Sequence, residues 1–104
     1  MNPTYGGGGM KKGRHWLVIY DIPDDYLRTR VMRTLKDFGF ERLQKSAYII
    51  RAPRSRIEDV RILLDKIIGS QEADVRIFPL CKYCYNDRIV VRELYIIEEE
   101  VYIV

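Results

Sequence analysis

Cysteine, histidine, amide side chains and long apolar runs are scarce in this chain, and each scarcity excludes something. Its 104 residues hold two cysteines, Cys81 and Cys84, and one histidine, His15. Two cysteines so close together cannot form the disulfide framework of a small secreted domain. Ser46, Ser55 and Ser70 with a lone His15 give no persuasive nucleophilic triad. No apolar run approaches the roughly 20 residues that span a bilayer, and the N-terminus lacks the apolar stretch of a signal peptide. A cytoplasmic protein without a membrane partner is therefore expected. Only two Asn and two Gln occur, while Ile, Arg and Glu are abundant, a composition that fits a thermophile. The Gly6–Gly9 run precedes every structured element, so it is no phosphate loop following a strand.

What is present fits one small domain. The 47% hydrophobic content is ordinary for a globular core, and at this length pairing with another subunit would help stability. The net charge of +3 is unevenly laid out. The last twelve residues carry Glu93, Glu98, Glu99 and Glu100 and no base. Residues 1–92 therefore set eighteen bases against eleven acids, a net of +7 that favours an anionic partner such as nucleic acid.

Along the chain, residues 1–14 read as a flexible Gly-rich leader, 15–97 as the folded domain and 98–104 as an acidic extension. Trp16 to Tyr20 is an unbroken apolar run, expected to be a central strand buried on both faces. Asp24 or Asp25 caps a helix carrying Leu27, Val31, Leu35 and Phe38 on one stripe and stopped by Gly39. Phe40 to Ala52 reads as extended, either one bent strand or a tight pair. Ser55 and Glu58 have capping-box spacing for a second helix, with Ile57, Val60, Leu64, Ile67 and Ile68 as its stripe and Gly69 as its end. Ala73 to Phe78 is a strand stopped by Pro79. A loop with the two cysteines follows, then β-rich sequence from Arg88 onward. This order suits an α+β fold, a ferredoxin-like βαββαβ sandwich with an additional C-terminal strand.

Several residues are candidates for chemistry. Asp21 ends the first strand. It either satisfies turn amides or, paired with a second carboxylate across a dimer axis, holds Mg²⁺ or Mn²⁺. Helix capping is the better explanation for Asp24 and Asp25. Arg28 and Arg30 oppose the dipole of the first helix, which points either to an external phosphate or to pairing with nearby acids. Arg42, Lys45, Arg51, Arg54 and Arg56, with Tyr48 among them, have the mixture of a nucleic-acid surface, although a strand Tyr is more often packing. Cys81-Lys-Tyr-Cys84 has the spacing of half a zinc site, but a structural turn explains it better. Redox chemistry is set aside because the pair does not open a helix after a strand.

The segment Trp16-Leu-Val-Ile-Tyr-Asp21-Ile-Pro-Asp-Asp25, the Arg-rich helix, Gly39-Phe-Glu-Arg-Leu-Gln-Lys-Ser46-Ala-Tyr48 and Val75-Arg-Ile-Phe-Pro-Leu-Cys81 together resemble the CRISPR-associated protein two family. The resemblance spans about residues 10–97. It implies a ferredoxin-like homodimer in which Asp21 of each subunit faces its twin and binds one Mg²⁺ or Mn²⁺, making Asp21 both metal ligand and catalytic residue. It also implies nucleic-acid contacts at Tyr20, Arg28, Arg30, Arg42 and Tyr48. Members are described as endonucleases on single-stranded RNA or duplex DNA. Their shared role is that of an adaptor that bridges dimers of the integrase, CRISPR-associated protein one, during spacer capture. Ile89 to Ile97 is the expected equivalent of a strand added to the partner's sheet. The competing expectation is a ferredoxin-like RNA-binding or small regulatory module, from the Phe38-Gly39-Phe40 stretch.

Overall fold

Alternation along the first strand sets the architecture. The computed structural model describes residues 13–94. Strand β1 runs Arg14–Asp21, and Trp16, Val18 and Tyr20 are buried while Arg14, Ile19 and Asp21 are exposed. An apolar run suggests cover on both faces; among the described residues Tyr85 stacks on His15 on one face, and the long helices cover the other. Helices α1 (Asp25–Asp37) and α2 (Arg54–Ile68) lie over that face. Leu27, Val31, Leu35, Ile57, Val60 and Leu64 enter the same core as Trp16, Val18 and Tyr20. The indole of Trp16 donates to the Ala52 carbonyl at 3.0 Å, so its one polar atom is satisfied inside.

The segment from Phe40 to Ala52 is a pair of strands, β2 (Glu41–Gln44) and β3 (Ala47–Ala52), with a bulge between Arg42 and Gln44. With β4 (Asp74–Leu80) they form an antiparallel sheet of order β2-β3-β1-β4. This is the ferredoxin-like α+β arrangement.

Helix α1 begins as its sequence dictates: the Asp24 carboxylate accepts the Leu27 N–H at 2.8 Å. It ends in a Schellman arrangement, with the Gly39 N–H on the Lys36 carbonyl at 2.9 Å and the Phe40 N–H on the Leu35 carbonyl at 3.0 Å. Gly39 has φ +99°, which only glycine adopts cheaply. Helix α2 corrects one expectation. Pro53, not Ser55, occupies its N-cap without a side-chain bond, and Glu58 pairs with Arg61 and Arg54 instead of closing a capping box. Proline fixes the entry angle by its locked φ, which makes the polar cap dispensable.

The C-terminal part differs more. Pro79 lies inside β4 opposite Trp16. Among the described residues β4 is an edge strand, where a missing donor is tolerated. The cysteines open a short helix, α3 (Lys82–Asn86), rather than a loop. Residues 88–94 are in no strand, and the rest of the expected added strand, with the leader through residue 12 and the acidic extension, falls outside the described residues. Among the described residues no helix is long and apolar enough to cross a membrane.

Candidate metal and nucleic-acid site

Asp21 closes β1 on the face turned away from the helices. Its carboxylate is exposed, and the β1–β4 register sets it opposite Asp74. Two acids facing each other across a ladder repel. Arg76 relieves this at Asp74, donating from Nε at 2.8 Å and from its second terminal nitrogen at 3.0 Å. Those bonds hold the Asp74 carboxyl below the usual carboxylate range. Nothing in the sequence marks Asp74, since 53 positions separate it from Asp21 and only antiparallel pairing joins them.

The turn after Asp21 is tightly braced. Ile22 is buried, and Arg28 donates to its carbonyl at 2.8 Å and reaches the Pro23 carbonyl at 3.4 Å. The same guanidinium pairs with Asp25. Arg28 thus makes the pairing with a nearby acid that its sequence position allows. Its charge, adverse to the helix dipole, is spent on the turn that fixes Asp21. Arg30 points elsewhere, exposed and lying over the Tyr26 ring at 6.0 Å.

Tyr20 and Tyr48 are placed inside the fold, not on a binding surface. Tyr48 has no accessible area and Tyr20 is 6% exposed. Their rings stack with centroids 6.1 Å apart, and the Tyr20 hydroxyl donates to the Lys45 carbonyl at 3.2 Å. Burial raises both phenols above their ordinary value, against the opposing pull of Arg42. A ring with no accessible face has none to offer a base, so the expected nucleic-acid role of these two side chains becomes core packing in the single chain. Alternation explains it: both sit on the helix-facing side of their strands.

The second basic stretch does not form one surface. Arg42 is half-buried over Tyr48 on the inner side, while Arg51 stands on the outer side and donates to the Gly13 carbonyl at 2.9 Å. Arg54 covers Trp16, and Arg56 covers Phe38 while donating to its carbonyl at 2.9 Å. Lys45, in the β2–β3 turn, remains exposed. Phe38 packs against the core and Phe40 is buried. The aromatic platform of an RNA-recognition sheet is therefore not built from these rings.

Could this geometry hold a divalent ion? Asp21 is an exposed carboxylate on a rigid strand end, a hard oxygen donor of the right kind. Among the described residues no group of three or more His, Cys, Asp or Glu side chains lies close enough to hold a metal. Among the described residues Asp21 would stand as a single oxygen donor, and a second chain would bring the further oxygen ligands that an ion needs.

A four-stranded antiparallel sheet with two long helices on one face and an acid at the end of β1 on the other defines a ferredoxin-like α+β domain. The model of the family described as CRISPR associated protein Cas2 matches residues 14–88. The chain belongs to that family. It is 37% identical over 75 residues to a CRISPR-associated endoribonuclease Cas2 of Korarchaeum cryptofilum, covering 72% of this chain and 76% of that one. Over 66 residues it is 32% identical to a Cas1/Cas2 fusion of Thermoproteus tenax, covering 64% of this chain and 25% of the fusion. The crystal structure of Streptococcus pyogenes Cas2 superposes with a TM-score of 0.62 at 24% identity, over 75% of this chain and 99% of that one.

Proposed function

We propose that the chain acts in CRISPR adaptation as a homodimeric adaptor that holds duplex DNA together with a Cas1 integrase. One observation carries the pairing. Leu17, Ile19, Phe78 and Leu80 form an apolar strip on the sheet face away from the long helices, with Ile19 37% and Phe78 42% exposed. Asp21 lies on that same face, and the free edge of β4 flanks it. Apposing two such faces removes apolar area from water and brings two Asp21 carboxylates toward one another. The fusion of Cas1 and Cas2 in a relative supports the integrase as partner. Exposed Arg30 and Lys45 and half-buried Arg42 are the cations we assign to phosphate contacts.

A second reading rests on Asp21 itself and on relatives named as endoribonucleases. In it the paired Asp21 carboxylates hold Mg²⁺ or Mn²⁺, whose chemistry is to activate water and neutralise charge on a phosphate of single-stranded RNA or duplex DNA. Each chain supplies one of the two carboxylates, and its Arg28 keeps the turn after Asp21 from shifting.

Both readings are tested on wild type and Asp21→Ala. Light scattering establishes the dimer, pull-down with the cognate integrase tests the adaptor, and RNA and DNA cleavage is assayed with Mg²⁺ or Mn²⁺. Absence of an integrase complex, with and without duplex, refutes the adaptor. Cleavage retained by Asp21→Ala refutes the metal-nuclease reading.

A further inference from the structure

The cysteine pair belongs to neither reading. Cys81 follows directly on β4 as the N-cap of α3, so a CxxC pair does open a helix after a strand here. The objection to redox chemistry, that the pair opens no helix, is therefore removed. Both thiols are exposed. Cys81 caps the turn that holds Cys84: the Cys84 backbone N–H donates to the Cys81 sulfur at 3.2 Å, which brings that sulfur to the start of the Cys84 side chain.

The surroundings favour a division of labour. Hydrogen bonds from the backbone and thiol of Cys84, helped by the charge of Arg14, hold the Cys81 thiol below its ordinary range. The same closeness pushes the Cys84 thiol up. The turn is also anchored from outside: Tyr85 stacks on His15 at 3.5 Å, and the Arg88 guanidinium lies over Tyr85 at 3.9 Å. Oxidation would thus cross-link a turn already docked on β1, at the point where the chain leaves β4.

We propose that Cys81 and Cys84 form a redox-active dithiol that closes to an intramolecular disulfide by exchange with a low-molecular-weight disulfide. The Cys81 thiolate attacks one sulfur of the reagent, whose S–S bond breaks and releases one thiolate. Cys84 gives its proton to solvent and attacks the Cys81 sulfur of the mixed disulfide. The second reagent thiolate leaves, and the Cys81–Cys84 bond forms. Two protein thiols lose two electrons in all, and one reagent disulfide becomes two thiols.

The test uses the full chain, a metal chelator and glutathione disulfide, with alkylation and intact mass as readout. Wild type should lose both alkylatable thiols together and retain no glutathione. Cys84→Ser should stop at one reducible glutathione adduct on Cys81. Cys81→Ser should react more slowly than Cys84→Ser, because the Cys81 sulfur keeps the hydrogen bond from the backbone N–H of residue 84 and Cys84 has no such donor while lying near Asp87. Circular dichroism checks that these surface variants keep the fold. Stable glutathione adducts on wild type, disulfide-linked dimers on a non-reducing gel, or equal rates for the two variants would each overturn the proposal.

Discussion

Replacing Tyr48 separates a packing role from a binding role, because the two make opposite demands on stability and affinity. The side chain has no accessible surface, stacks on Tyr20 and sits opposite Val18 in the β1–β3 ladder. Truncating a large aromatic in such a site costs about 3–5 kcal/mol, from lost transfer energy and the cavity left behind. A domain of this size holds only about 5–15 kcal/mol in all, so Tyr48→Ala should lose a large part of it. Tyr48→Leu retains much of the volume but no ring and should lose about 1–3 kcal/mol. A ring stacked on a base would instead contribute about 1–3 kcal/mol of binding. Urea unfolding followed by circular dichroism gives the first quantity, and fluorescence anisotropy with a labelled duplex gives the second. Under conditions where Tyr48→Leu is fully folded, its affinity should match wild type. A folded Tyr48→Leu whose affinity drops tenfold or more, without a matching loss of stability, would refute the assignment of this ring to the core.

The remaining expectations are local. Asp24→Ala removes the acceptor of the Leu27 N–H and should lower stability by about 1 kcal/mol, read in the same urea titration, whereas Asp24→Asn should recover most of it. Gly39→Ala meets no close neighbour, with Ile50 Cδ1 at 3.8 Å, but forces an L residue to φ +99°. A loss of about 1–2 kcal/mol is expected, and an unchanged unfolding midpoint would show that the turn relaxes. His15 is held below the ordinary imidazole value of 6.5 by partial burial and by Arg51 and Arg88. The unfolded chain then takes up its proton first as pH falls. The His15 contribution to stability should therefore be complete above about pH 6.5, decline below it, and level off once pH passes the folded-state value. Thermal melts of wild type and His15→Phe over that interval should diverge in slope, and parallel curves would exclude His15 as the titrating group.

Residues that act through their neighbours along the chain are legible in the amino-acid sequence. Asp24 before Leu27, Gly39 after Phe38 and the stripe from Leu27 to Leu35 declare a capped, amphipathic helix, because capping bonds and helical faces span only three or four residues. The family motif from Trp16 to Asp25 likewise lies within one strand and one turn. Face and partner are different matters. The run from Trp16 to Tyr20 contains no polar residue to mark which side meets water, so the helices, not the sequence, decided that Tyr20 is inside and Ile19 outside. The pairing of β1 with β4 decided that Asp74 faces Asp21, with Arg76 beside it. Arg28 is equally suited to a phosphate and to an acid until the turn at Ile22 and Pro23 comes within its reach. Cys81 and Cys84 have one spacing whether in a loop or a helix, and the docking of Tyr85 on His15 helps to fix the turn that holds them. Sequence by itself determined the family, the two long helices and the central strand, since each rests on short-range periodicity and motif. The tertiary structure alone decided which cations are occupied, which aromatics are buried and which sheet face the long helices cover, since those depend on contacts between segments that the chain brings together only by folding.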